Sequence, residues 1–151
     1  MRLTLPANAA SVPQVRHAVV ELGRAAGGSE RMLADVALAV SEACSNVVVH
    51  AYREHAEPGT LAVEAELHGA TLEVIVSDEG SGVLPREDSP GLGMGLALMA
   101  AVASSLQFDH DGAATRVHLT FDLAPPIAPE DGETAMAADD ADATIRGADR
   151  D

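Results

Sequence analysis

Three polar residues at four-residue intervals, Glu42, Asn46 and His50, interrupt the run SEACSNVVVHAY (residues 41–52), which is otherwise small or apolar. In a helix a four-residue step turns by only about 40°, so Glu42 and Asn46 lie one turn apart on one face. A carboxylate and a carboxamide are costly to bury in an apolar helix unless they bind something. This pair is therefore the first candidate site, whereas His50 is interpreted as a structural histidine at the helix end.

A second group, Asp78, Gly80 and Gly82, follows the strand-like run TLEVIVS in the sequence DEGSG. An aspartate that leaves a buried strand into a Gly-x-Gly turn is a fixed hydrogen-bond acceptor with little side-chain bulk around it. Such an acceptor suits a planar ring that bears an amino group, such as adenine. Taken alone, the pattern is equally that of an acidic turn containing glycine.

A third group, Gly91, Gly93 and Gly95 in GLGMG, opens a predicted helix over residues 96–106. Alternate glycines let the backbone approach a ligand with free N–H groups, and the positive end of the helix dipole attracts phosphate. The nine basic residues are all arginine, so a phosphate site would depend on backbone N–H groups, arginine or a metal. The segment lacks the Gly-Lys-Ser/Thr of a Walker A loop and does not directly follow a strand, as a dinucleotide-binding loop does.

The elements that must position these residues are predicted from hydrophobic periodicity and from the capping residues Ser11 and Ser29. Strands and helices segregate along the chain, which predicts an α+β fold, a two-layer α/β sandwich with helices on one face of a mixed sheet. The predicted strands cover residues 1–5, 61–67, 71–77, 106–109 and 115–121, and the predicted helices cover residues 11–28, 29–54 and 96–106.

Composition limits the function further. The 151 residues suffice for one domain with a hydrophobic core, and a net charge of −15 disfavours binding to nucleic acid or to an anionic membrane. We see no apolar run near the roughly 18 residues of a membrane span and no signal peptide, and we expect a cytoplasmic protein. The single cysteine, Cys44, excludes an internal disulfide.

The chain changes character at residue 124. Residues 124–151 contain eight acidic residues, two arginines and three prolines, and almost no bulky apolar side chain. This composition predicts a disordered acidic tail, with a partner-binding segment or an electrostatic guard over the site as alternatives. The predicted organisation is thus one folded domain at residues 1–123 and a tail at residues 124–151.

The order and spacing of the three groups provide the specific signal. Glu-x-x-x-Asn on a helix, Asp-x-Gly-x-Gly after a strand and Gly-x-Gly-x-Gly before a helix resemble the N, G1 and G2 boxes of the GHKL ATPases, which share the Bergerat fold. Within that superfamily, SEACSNVVVHAY, VSDEGSG and GLGMGLALM look like the anti-sigma-factor serine/threonine kinases of the RsbW type. Val49 stands where histidine-kinase domains usually carry a basic residue, and the chain has no room for their dimerisation domain or for the transducer domain of other branches.

The resemblance implies ATP and Mg²⁺ as cofactors and assigns roles to the polar pair. Asn46 would coordinate Mg²⁺ through its amide oxygen. Glu42 would be the general base that orients the hydroxyl of a protein serine or threonine towards the γ-phosphate.

The resemblance assigns the other residues to the nucleotide. Asp78 would accept a hydrogen bond from the adenine amino group, and Thr115 would place a hydroxyl beside that aspartate and its water. The glycines would shape the pocket, with Gly80 against the base, Gly82 as the hinge of a short lid, and lid and phosphate contacts from Gly91, Gly93 and Gly95.

Two functions from different classes follow. The first is a kinase that phosphorylates an anti-anti-sigma protein with a STAS domain; the resemblance also allows a sigma factor as a second partner and a homodimer. The second is a nucleotide-regulated binding module that sequesters a switch partner without catalysis. Glu42 favours the kinase, because a binding module has no need of a base. A plain α+β interaction domain would leave the three ordered motifs unexplained.

Overall fold

The computed structural model describes residues 1–51, 59–80, 92–110 and 114–123, with the backbone alone described at 92 and 93. The predicted tail, the predicted lid, Gly82 and Gly91 lie outside these residues. Within them, five strands and three α-helices follow one another in the predicted order. The elements are β1 (Arg2–Pro6), α1 (Ser11–Ala25), α2 (Glu30–Asn46) with a π-helical extension (Val47–Ala51), β2 (Thr60–His68), β3 (Thr71–Asp78), α3 (Leu92–Val102), β4 (Ser105–His110) and β5 (Thr115–Asp122).

The strands form one sheet in the order β1-β2-β3-β5-β4, and all four pairings between these strands are antiparallel. The α+β sandwich is confirmed, but the prediction of a mixed sheet is wrong. β3 and β4 run in the same direction, and β5 lies between them, so they never pair. The β2–β3 turn is tight, and Gly69 adopts a φ of 64° that favours glycine.

One face of the sheet is apolar and packs against the helices, as alternation along each strand requires. Cross-strand rows on this face bring buried residues together, for example Val63 with Val76 and Val76 with Val117. The other face carries Glu64, Glu73 and further polar side chains. The helices therefore cover one side only, which is the layer arrangement expected of this class.

Helix α2 is the central helix of the second layer. It packs against α1 and α3 and contacts β3 and β5, and its buried stripe includes Leu33, Val36 and Val40. Ser29 is its N-cap as predicted, with the side chain accepting a hydrogen bond from the backbone N–H of Met32 at 3.3 Å.

The N-terminus of α1 differs from the prediction. Ser11 is the first helical residue, and its hydroxyl donates to the carbonyl of Pro6 at 2.6 Å. The side chain of Asn8 accepts from the backbone N–H groups of Ala10 and Ser11 instead. Asn8, three residues before Ser11, thus binds two N–H groups at the entry to the helix, while the N-cap residue Ala10 has no side-chain cap.

The helix that carries Glu42 and Asn46 changes geometry after Asn46 and ends as a π-helix at Ala51. By length and a mean hydropathy of 1.6 it meets the criterion for a membrane span, contrary to our expectation that no segment would. Core helices of soluble proteins meet the same criterion. Leu33, Val36 and Val40 are fully or almost fully buried within the fold, as in such a core helix.

Helix α3 begins at Leu92 and ends at Val102, four residues earlier at each end than predicted. The glycine motif therefore lies inside the first turns of the helix, because tertiary packing overrides the low helix propensity of glycine. Ser105, predicted to be helical, belongs to β4, as does Leu106, which both the predicted helix and the predicted strand include.

A close backbone contact joins the end of β3 to the end of the π-helix. A Cβ atom added at Gly80 would stand 2.2 Å from the carbonyl oxygen of Ala51 and 2.8 Å from its carbonyl carbon. No residue other than glycine fits there without a backbone shift. The contact holds the strand that ends in Asp78 against the helix that carries Asn46.

We predict that Gly80→Ala lowers the free energy of unfolding by about 1–3 kcal/mol, the usual cost of forcing extra atoms into a packed site. Urea unfolding measures it. Gly69→Asn is the control, because asparagine tolerates a positive φ and nothing lies within 4 Å of a Cβ at Gly69. Equal stability of the two variants would contradict the contact.

Candidate functional site

The carboxylate of Glu42 and the amide oxygen of Asn46 converge on the first turns of α3. A Cβ added at Gly95 would stand 2.8 Å from Oε2 of Glu42 and 3.9 Å from Oδ1 of Asn46. Both side chains are half-buried, and both point from α2 towards α3. The structure therefore brings the two predicted residues together and adds Gly95 as their neighbour.

The start of α3 supplies hydrogen-bond donors at the same place. The first four N–H groups of a helix have no partner within the helix, and here they belong to Leu92, Gly93, Met94 and Gly95. The positive end of the helix dipole favours the binding of anions at this place. The N–H donors predicted near the glycine motif are therefore present at the start of α3, although Gly93 and Gly95 lie within the helix and not before it.

Asp78 lies in a row of residues that crosses the sheet on the helix-facing side. Its direct cross-strand neighbours are Leu61 on β2 and Thr115 on β5, and the neighbour of Thr115 is His110 on β4. Side chains of directly opposed residues lie on the same face of a sheet. The predicted placement of Thr115 beside Asp78 agrees with this register.

The carboxyl group of Asp78 is almost fully buried, with 6% of the residue exposed. Burial raises its pKa, while the backbone N–H of Gly80, which donates to Oδ1 at 3.0 Å, and the nearby His110 act in the opposite direction. One carboxylate oxygen therefore has a backbone donor, and the group keeps acceptor capacity for a ligand. A buried acceptor held this way is a strong candidate for specific recognition.

His110 is a residue that the sequence reasoning missed, because no local spacing connects it with the three motifs. Its Nδ1 lies 3.1 Å from the carbonyl oxygen of Ala114 and 3.4 Å from Oγ1 of Thr115. Only the strand register places it next to the site. The sequence signal that could have identified His110 is a β4–β5 hairpin in which His110 pairs with Thr115.

The two parts of the site are joined through the π-helix. Ala51 lies five residues after Asn46 in the same helical segment, and its carbonyl group contacts Gly80, two residues after Asp78. The acceptor on β3 and the polar pair on α2 are therefore parts of one site.

The residues present fit a nucleotide with a divalent cation. Asn46 offers an amide oxygen, a ligand type that Mg²⁺ accepts, beside the open donors of α3. The absence of a side chain at Gly95 avoids a contact of 2.8 Å between a Cβ atom and Oε2 of Glu42. Asp78 offers the buried acceptor that an amino-substituted ring requires.

Comparisons with known proteins identify the family of this chain. The family described as the histidine kinase-like ATPase domain matches residues 5–121. Serine-protein kinase RsbW proteins from Bacillus cereus (strain AH187) and Bacillus thuringiensis (strain Al Hakam) are each 28% identical to this chain over 130 residues, which cover 76% of this chain and 80% of the relative.

Solved structures show the same fold. The crystal structure of the RsbU and RsbW domains of Rv1364c from Mycobacterium tuberculosis superimposes with a TM-score of 0.64 at 26% identity, over 82% of this chain. This chain spans 31% of that larger one. The blue-light activated histidine kinase of Erythrobacter litoralis EL346, with a TM-score of 0.55 at 22% identity over 79% of this chain and 42% of its own, shares the fold.

These matches confirm the resemblance inferred from the three motifs, including its RsbW-type serine-kinase character. The chain belongs to the family of histidine kinase-like ATPase domains.

Proposed function

We propose that this chain is an ATP-dependent serine/threonine protein kinase of the anti-sigma-factor type, acting in the cytoplasm on an anti-anti-sigma protein with a STAS domain. The observation that carries the proposal is the Glu42 carboxylate beside the Asn46 amide oxygen at the N-terminal turn of α3. Similarity to serine-protein kinase RsbW over 76% of the chain supports it.

Asn46 and Glu42 have different roles in the proposed reaction. The amide oxygen of Asn46 would hold Mg²⁺, which neutralises phosphate charge when it is bound. The carboxylate of Glu42 accepts the proton of the substrate hydroxyl and orients that oxygen for in-line attack. The N–H groups in the first turn of α3, with Gly93 and Gly95 leaving room for close approach, bind phosphate oxygens.

The row across the sheet recognises the base. The free acceptor capacity of Asp78 receives the amino group of adenine, and Thr115 presents a hydroxyl next to it. Gly80 keeps this end of β3 close to α2, so the base and the phosphates occupy one continuous site. Gly82 and Gly91 keep their proposed lid and phosphate roles outside the described residues.

The proposal includes the domain division at residues 1–123 and 124–151, a sigma factor as second partner, and a homodimer. The alternative of a nucleotide-regulated binding module without catalysis leaves Glu42 without a task. Phosphate transfer separates the two functions.

We predict that Glu42→Gln lowers phosphate transfer by about 10²- to 10⁴-fold, because a carboxamide cannot accept the hydroxyl proton. ATP binding should remain, since the shape of the side chain is kept. The measurement is transfer of radiolabelled phosphate from ATP to STAS-domain proteins of the source organism. Unchanged transfer by the variant would rule out Glu42 as the base.

Glu30→Gln is the matched control for this experiment. Glu30 lies at the opposite end of α2, about 18 Å from Glu42 along the helix axis, and is exposed. It should transfer phosphate at the rate of the unaltered chain. If no STAS-domain protein is phosphorylated by the unaltered chain, while Mg-ATP is bound, the binding-module function is the correct one.

We predict that Asn46→Ala weakens Mg-ATP binding by roughly 10- to 100-fold, the effect of removing an interaction with a charged group. Calorimetry with and without Mg²⁺ measures this, and the difference between the two conditions should disappear in the variant. Ser45→Ala, on the same helix turn, is the control and should bind normally. Normal Mg-ATP binding by Asn46→Ala would remove the basis of the whole site assignment.

We predict that Asp78→Asn weakens ATP binding yet raises the free energy of unfolding at pH 7, by about 0.5–2 kcal/mol. Burial raises the pKa of Asp78, so ionisation of the buried carboxyl at neutral pH costs folding free energy. The carboxamide never ionises, and its oxygen can still accept from Gly80.

The stability gain should shrink as the pH falls towards the raised pKa, because the carboxyl of the unaltered chain then takes up a proton and the cost disappears. Urea unfolding at pH 7 and at pH 5, together with ATP titration, measures both effects. Lower stability of Asp78→Asn at pH 7 would show that the carboxylate stabilises the fold instead.

A further inference from the structure

His110 ends strand β4 and is half-buried, at the outer end of the row that contains Asp78 and Thr115. It has no part in the proposed phosphate transfer. Its position next to Thr115 is nevertheless specific, because its ring contacts Thr115, the first residue of β5, and Ala114, which precedes it.

The contacts of His110 determine which ring nitrogen carries hydrogen. Nδ1 lies 3.1 Å from the carbonyl oxygen of Ala114, and a carbonyl only accepts, so Nδ1 must be the donor. The same Nδ1 lies 3.4 Å from Oγ1 of Thr115. Since a protonated Nδ1 has no lone pair to offer, Oγ1 is the acceptor in this longer contact.

The hydroxyl hydrogen of Thr115 is therefore directed away from His110. The opposite neighbour of Thr115 in the row is Asp78, whose carboxylate only accepts. The site then presents an acceptor from Asp78 beside a donor from Thr115, with both side chains almost fully buried. His110 also counteracts the effect of burial on the pKa of Asp78, which favours the ionised acceptor.

We propose that His110 is a positioning residue that fixes the Thr115 hydroxyl as a donor, so that the site selects adenine over guanine nucleotides. Adenine pairs an amino group with a bare ring nitrogen on one edge, which complements an acceptor beside a donor. Guanine carries a carbonyl and a ring N–H on that edge and has the opposite polarity. The inference rests on the proposed function, in which Asp78 and Thr115 bind the base.

Binding of Mg-ATP and Mg-GTP to the full chain, expressed as the ratio of the two dissociation constants, tests the inference. His110→Leu removes the donor and should reduce the preference for ATP roughly 3- to 10-fold, the range for one hydrogen bond. His110→Asn places an amide donor near the position of Nδ1 and should keep most of the preference. His110→Gln reaches the position of Nε2 instead and should behave like His110→Leu, which provides a polar variant if the leucine variant does not fold.

His118→Leu is the control, because His118 lies on β5 but on the opposite face of the sheet. It should leave the ratio unchanged, and Thr115→Val should reduce the ratio at least as much as His110→Leu. If His110 has a merely structural role, His110→Leu weakens the binding of both nucleotides equally and leaves the ratio of their dissociation constants unchanged. That result would overturn the inference.

The failure of the proposed function has a different signature. If the unaltered chain binds neither nucleotide, or binds both equally, the assignment of the base site to Asp78 is wrong and the inference falls with it. If the unaltered chain prefers ATP and only Thr115→Val loses the preference, the proposed function stands and His110 has no part in it.

Discussion

The approach of α3 to α2 at Gly95 is the constraint on which the rest of the site depends. Glu42 places a carboxylate oxygen 2.8 Å from the position that a Cβ would take there. Any larger residue would push the two helices apart or turn Glu42 away. The glycine thereby allows the Glu42 carboxylate, the Asn46 amide oxygen and the N-terminal turn of α3 to lie close together.

A second close contact joins the polar pair on α2 to the other half of the site, which contains Asp78. Gly80 packs on the backbone of Ala51, so α2 and its π-helical end touch both α3 and the end of β3. π-helical turns are frequent at functional sites. Here the π-helical turn places the carbonyl group of Ala51, five residues after Asn46, against Gly80. The central helix therefore contacts both halves of the site.

The sequence predicted the α+β class, the order of the elements and the pairing of Glu42 with Asn46, because these follow from local periodicity and from motif spacing. It did not predict the start of α3 at Leu92, because glycine-rich segments have low helix propensity and only packing against α2 stabilises the turn. The sheet is antiparallel because β5 lies between β3 and β4. This pairing is set by contacts between distant parts of the chain, and no local sequence pattern predicts it. His110 was missed for the same reason, since its neighbours are set by register across strands.

The negative charge of the chain makes the hydrogen-bond donors of the site important for nucleotide affinity. A net charge of −15 repels a nucleotide at long range, and no lysine is present to reverse this. Screening limits such repulsion to roughly 8 Å at physiological salt, so hydrogen-bond geometry within the site determines affinity. The described site presents backbone N–H groups, an amide and a hydroxyl as its neutral groups. A backbone N–H donates in one fixed direction, whereas the hydroxyl of Thr115 can rotate and has His110 beside it. Close contacts at Gly80 and Gly95 bring the elements that carry these groups together.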